Sequence, residues 1–166
     1  MPKKQFEPGR ESERNGIRVR AAGLLLSGDS ILMTKLRSPV RAEPIWLPPG
    51  GAVKKGETLE NAVEREILEE TGIYVVAKPE NLCLIHEFIE YPLHAIEFYF
   101  RIYNKSGKAG LGKDPERKAD NQILLDTRFI PISHFNRNDI YPEYLREHIH
   151  ELTSPESKLR HIRSVK

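Results

Sequence analysis

The chain has 166 residues, 39% of them apolar and 30% charged, with 26 Lys and Arg against 24 Asp and Glu. That length supports one domain with its own core. A net charge of +2, a mean hydropathy of −0.52 and the lack of any long apolar run exclude a membrane helix and give no electrostatic case for nucleic acid.

The single cysteine, Cys83, excludes a disulfide framework and a Cys-based zinc site. Its setting, Asn81-Leu82-Cys83-Leu84-Ile85, predicts a buried core thiol. The N-terminal residues carry no secretory apolar stretch, which with the lone thiol points to the cytoplasm.

Residues 1–15 are polar with both signs of charge and read as a flexible arm before a domain over 16–152. Alternation of Arg18 and Arg20 with Ile17, Val19 and Ala21 predicts a strand over 17–26. The turn Ser27-Gly28-Asp29-Ser30 and a strand over 31–36 complete a hairpin. A short strand around Ile45-Trp46-Leu47 stops at Pro48-Pro49-Gly50-Gly51. Residues 58–71 read as a helix, capped by Thr58 and ended by Gly72. A further strand begins at 73–76, and runs at 82–91 and 94–103 form an antiparallel pair around Tyr91-Pro92-Leu93. Residues 104–121 are a long polar loop, of a length that is usually functional or disordered. A strand over 123–130 and an amphipathic helix over 142–152 follow, with Ile140, Tyr144, Leu145, Ile149 and Leu152 on one side. Residues 153–166, with Lys158, Arg160, Arg163 and Lys166, read as a frayed basic tail.

The first helix departs from ordinary amphipathicity. Spaced i, i+3, i+4, Glu66, Glu69 and Glu70 share one stripe, and Leu59, Ala62 and Val63 lie on the same stripe one to two turns earlier. The carboxylates therefore extend the apolar face instead of opposing it. Three adjacent carboxylates repel and require a cation. Arg65 offsets one charge. Hard oxygen donors without His or Cys suit Mg²⁺ or Mn²⁺ better than Zn²⁺. A solvated acidic face is the alternative.

The same segment has the spacing of a known signature. Gly51, five residues, Glu57, seven residues, then Arg65-Glu66-Ile67-Leu68-Glu69-Glu70-Thr71-Gly72-Ile73 resembles the Nudix box at every signature position. A chance match is on the order of one in a billion per start position at ordinary residue usage. The resemblance implies an α/β fold, an α/β/α sandwich in which helices flank a mixed sheet. It implies Mg²⁺-assisted hydrolysis of a nucleoside diphosphate linked to another group. It further implies Glu66, Glu69 and Glu70 as metal ligands, a carbonyl of Gly50 or Gly51 joining them, Glu57 and Arg65 as a structural pair, and often a homodimer. The general base varies within the family, so Glu69, Glu70 and the loop residue Glu116 are candidates, with Asp120 second in the loop.

Arg18 and Arg20 are candidates to grip phosphate or ribose, or else mark a solvent-facing strand edge. Tyr91 is the best placed of the aromatics to stack on a base, while Trp46 reads as core. Glu97 either faces solvent, pairs with Arg101 or faces the site. His148 and His150, i and i+2 on a helix, do not face one another and are no metal pair. The expected substrate is a small nucleotide-derived molecule such as ADP-ribose or a nucleotide sugar. The alternatives are nucleoside triphosphates, including oxidised ones, diphosphate removal from RNA 5′ ends, and a non-catalytic nucleotide-binding regulatory module.

Overall fold

The structure, a computed structural model, describes residues 16–38, 41–91, 93–103, 105, 106, 109, 110, 112 and 123–165. Strands β1 (Arg18–Ser27) and β2 (Ser30–Leu36) form the expected hairpin, with Ser27 opposite Ser30. Strand β3 (Ile45–Leu47) pairs with β2, and β4 (Gly50–Ala52) with β1. Helix α1 spans Leu59–Thr71. The Thr58 hydroxyl accepts from the Asn61 N–H at its start, and Gly72, at φ 71°, ends it in the left-handed region that glycine enters without strain. Strand β5 (Tyr74–Val75) pairs with β8 (Lys105–Ser106) in a small separate sheet. Strands β6 (Leu82–Glu90) and β7 (Leu93–Ile102) are antiparallel, and β9 (Leu124–Pro131) lies against β2. Helix α2 (Glu143–Thr153) and β10 (Arg160–Val165) complete the described elements.

The main sheet runs β10-β6-β7-β1-β2-β3, with β4 beside β1 and β9 beside β2. It is mixed: β1–β7 and β10–β6 are parallel, the other described pairs antiparallel. Strand β1 shows why both faces are covered. Ala21 and Leu25 pack with Ala62, Val63 and Ile67 of α1, while Ala22 and Leu24 pack with Leu145, Ile149 and Leu152 of α2. Period-2 side chains thus feed two cores, which is the two-sided burial a central strand needs. Among the described residues no helix is long and apolar enough to cross a membrane. Cys83 is buried in the α2-side core, and burial pushes its thiol up to about 12.

Three expectations are corrected. Residues 160–165 are not a frayed end but the parallel edge strand β10, whose Ile162 packs on the α2-side core. Arg163 pairs with Glu87 at 2.5 Å, so the charge that suggested solvation serves the strand edge. Glu97 does not pair with Arg101. Arg101 donates instead to the carbonyls of Ser154 and Ser157, and Glu97 lies 3.6 Å from Arg20. The polar loop begins with β8, because Ser106 and Lys105 find backbone partners on Tyr74 and Val75. The expected arm over residues 1–15 lies outside the described residues.

Candidate active site on the acidic face of the first helix

The stripe that buries Ala62 and Val63 carries Glu66, Glu69 and Glu70 at the C-terminal half of α1. No basic residue occupies the last turn. Carboxylates at the negative end of a helix dipole are doubly unfavourable without a compensating cation.

Arg65 supplies part of that compensation. Its Nε and Nη2 donate to Oε1 and Oε2 of Glu57 at 2.7 and 2.9 Å, a two-point clasp. Its Nη1 donates to Glu66 Oε1 at 2.6 Å and Glu69 Oε2 at 3.2 Å, and Nη2 also reaches the Ala52 carbonyl at 3.1 Å. Glu57 further accepts the Lys54 N–H at 2.9 Å. Hydrogen bonding from Arg65 holds the Glu57 carboxyl at about 2, against an ordinary 4.5. The pair therefore ties the loop over 53–57 to the helix. Glu66 shifts the other way: burial raises it, although Arg65 opposes the rise.

Strand β4 brings backbone to the carboxylates. A Cβ on Gly51 would lie 2.4 Å from the Glu66 carboxyl carbon, so a larger residue there would push that carboxylate aside. The ladder settles which glycine faces the site. The Gly23 N–H donates to the Pro49 carbonyl and the Val53 N–H to the Val19 carbonyl. By antiparallel alternation Ala21 and Gly51, opposite each other, bond to one another. The backbone groups of Gly50 then point away from β1. Its N–H donates to Glu70 Oε2 at 3.1 Å, and its carbonyl accepts from Arg20 at 2.9 Å. Of the two carbonyls expected, that of Gly51 belongs to the sheet, and the outward one is that of Gly50.

The long loop leaves from the same helix end. Gly110 N–H donates to the Thr71 carbonyl at 2.9 Å and Gly112 N–H to the Glu70 carbonyl at 2.8 Å. A Cβ on Gly112 would fall 2.0 Å from the Glu69 carbonyl oxygen. Glu116 and Asp120 lie outside the described residues.

The remaining candidates separate. Arg18 is exposed on β1, whereas Arg20 is only 7% exposed and spends its Nη2 on the carbonyls of Pro48 and Gly50. A guanidinium committed to backbone is a support, not a solvent-facing grip. Tyr91 stands 95% exposed on the β6–β7 turn, its ring open to water rather than forming a wall. Trp46 is core, as expected, with Lys35 and Arg128 over its ring. Sequence reasoning missed Thr34, whose hydroxyl lies 3.5 Å from Glu70 Oε2. The signal was present: Thr34 follows Leu32 on the α1 face of β2, a polar residue on an apolar stripe. A depression of about 380 Å³ between α1 and β5 includes Glu57 and Arg65 but none of the three glutamates.

The donor set fits a hard divalent cation: three carboxylates, one outward carbonyl, a glycine cradle against Glu66 and a helix end in need of positive charge. As arranged here, Arg65 holds Glu66 and Glu69 while Gly50 holds Glu70. Among the described residues no three acidic, His or Cys side chains are already closed on one point.

The NUDIX domain pattern matches residues 17–149. The chain belongs to the Nudix family. Nudix hydrolases generally use divalent metal ions and act on small nucleotide-derived substrates. This Nudix chain is 29% identical over 131 residues to an ADP-ribose pyrophosphatase of Methanocaldococcus jannaschii, covering 77% of this chain and 73% of that one. It is 31% identical over 93 residues to an 8-oxo-dGTP diphosphatase of Buchnera aphidicola, covering 51% and 68%. It is 40% identical over 75 residues to the m7GpppN-mRNA hydrolase NUDT17 of Danio rerio, spanning 44% of this chain but 24% of that protein. A NUDIX hydrolase structure from Nitrosomonas europaea superposes with a TM-score of 0.72 at 18% identity, over 92% of this chain and 81% of its own. That likeness confirms the sandwich fold.

Proposed function

We propose that this Nudix chain hydrolyses the diphosphate linkage of a nucleoside diphosphate derivative, ADP-ribose or a nucleotide sugar, giving a nucleoside monophosphate and a phosphorylated partner. The observation that carries the reading is the site-facing stripe of Glu66, Glu69 and Glu70 at a helix end without basic residues, against the outward backbone of Gly50. The substrate class is supported by the Methanocaldococcus ADP-ribose pyrophosphatase, aligned over more of this chain than the other two relatives.

Glu66, Glu69 and Glu70 would hold Mg²⁺ or Mn²⁺. When bound, such an ion supplies charge neutralisation at the diphosphate and a more acidic water. The chain does the rest. Arg65, fixed by Glu57, orients Glu66 and Glu69. The Gly50 N–H and the Thr34 hydroxyl orient Glu70. Glu69, more exposed than Glu66, would be the carboxylate that takes a proton from water, a reading that its greater exposure supports.

A second reading, pyrophosphohydrolysis of nucleoside triphosphates, is supported by the Buchnera 8-oxo-dGTP diphosphatase, of which 68% aligns. A coupled phosphate-release panel with Mg²⁺ separates them. Signal from ADP-ribose or nucleotide sugars that requires added phosphatase is the expected result. Signal from triphosphates through added inorganic pyrophosphatase selects the second reading. Tight nucleotide binding without turnover of any substrate overturns both in favour of a regulatory module.

A further inference from the structure

A buried polar chain crosses the sheet from the glycine turn to the C-terminal strand, and the proposed hydrolysis leaves it unexplained. Arg20 Nη2 donates to the carbonyls of Pro48 at 3.0 Å and Gly50 at 2.9 Å. Its Nη1, shielded from water, has no hydrogen-bond partner and lies 3.6 Å from Glu97 Oε1. Glu97 Oε2 accepts from the Tyr99 hydroxyl at 2.8 Å and pairs with His86 Nδ1 at 3.1 Å. His86 Nε2 meets Ser164 Oγ of β10 at 2.9 Å. An ionised carboxylate only accepts, so Nδ1 carries the proton and, in a neutral ring, Nε2 accepts from Ser164. Burial raises the pKa of Glu97, but His86 and Arg20 outweigh it and the carboxyl titrates below its ordinary range.

Burying an arginine costs desolvation that a salt bridge only partly returns. A purely structural ion pair would put the guanidinium fork on the carboxylate at hydrogen-bond distance. Here the short contacts go to the turn, and Glu97 stands behind as counter-charge. Gly50 is therefore gripped on both sides, its carbonyl by Arg20 and its N–H by Glu70.

We propose that Arg20 is a positioning residue for the hydrolysis. By holding the carbonyls of Pro48 and Gly50 it sets the backbone against which Glu70 is aligned, and Glu97, braced by Tyr99 and His86, sets Arg20. This deepens the proposed function and rests on the assignment of Glu70 to the metal site.

The test compares the full chain with Arg20→Met, Arg20→Lys and Glu97→Gln by three readouts. These are amide hydrogen exchange at Gly50, Mn²⁺ binding followed by the signal of the free ion, and kcat against KM on ADP-ribose. Arg20→Met is expected to speed exchange at Gly50 about tenfold or more while leaving α2 amides unchanged, because the residue loses one of its two anchors and its backbone is freed to move. Its Mn²⁺ midpoint should rise about fivefold or more and kcat fall about tenfold or more at near-constant KM, since misplacing a ligand costs orientation. Arg20→Lys should recover part of each effect, because a lysine offers charge without the fork. Glu97→Gln should show the same changes more weakly, and these two variants carry the test if Arg20→Met does not fold.

Wild-type exchange at Gly50 in the folded variants overturns the proposal. So does an unchanged Mn²⁺ midpoint in variants of a binding wild type, or a raised KM at unchanged kcat, which would make Arg20 a substrate grip. Wild-type protein that binds no Mn²⁺ and cuts no substrate defeats the proposed function instead, and the exchange readout still decides whether Arg20 holds the turn.

Discussion

Glu57 shows how a single residue of the box ties a loop to a helix. Arg65 holds its carboxyl at about 2, against an ordinary 4.5, so folding favours the ionised form. The stability this pair contributes is present above pH 4.5 and is lost as the pH falls towards 2. Thermal melts across that window should show the wild type losing stability more steeply than Glu57→Gln. Parallel slopes would mean that the pair contributes nothing to acid sensitivity. Roles at this scale were legible in uneven measure. Glu57 and Arg65 were readable because their spacing matched a signature. Arg20 was not, because a strand with Arg18 and Arg20 on one face looks solvent-facing until Glu97 and two carbonyls of the turn are seen beneath it. Long-range partners of this kind leave no local trace in sequence.

At the scale of elements, the end of α1 matters most. Its last carbonyls are met by Gly72, by Gly110 and by Gly112, so the helix cap and the root of the long loop share one structure. Gly112 has no room for a side chain, whereas a Cβ on Gly110 meets nothing within 4 Å. Gly112→Ala should therefore displace the loop root and lower turnover about tenfold or more through misplaced Glu69 and Glu70. Gly110→Ala should stay near the wild type. Equal activities of the two variants would show that the loop root does not bear on the site. Helix α1 was legible because Thr58, Gly72 and the apolar spacing agree. Strand β10 was not, because a basic edge strand with only Ile162 turned partly into the core has neither the alternation of apolar residues nor a hairpin turn to announce it. The ladder parity of Gly50 and Gly51 is likewise a property of pairing, which two adjacent glycines in sequence cannot reveal.

At the scale of the whole molecule, the sheet separates two cores and the site lies where β4 meets α1. Glu70 approaches Gly50 from the α1 side, and Arg20 reaches it from the face of the sheet that carries Ala22 and Leu24. If Arg20 positions the site as proposed, function on one side depends on packing on the other. The sandwich was legible through the resemblance that the box and the order of strands around it carry, and the structure adds that both faces of β1 are covered. As proposed, Glu66, Glu69 and Glu70 form a metal-dependent hydrolytic site. The most direct test is turnover against Mg²⁺ concentration for the wild type and Glu70→Gln, on whichever nucleotide gives the largest signal, with melting curves as a check on folding. The wild type should rise from an EDTA background to saturation, while Glu70→Gln stays near that background and melts as a folded protein. Near-normal turnover by Glu70→Gln, or full wild-type turnover in EDTA, would contradict the account.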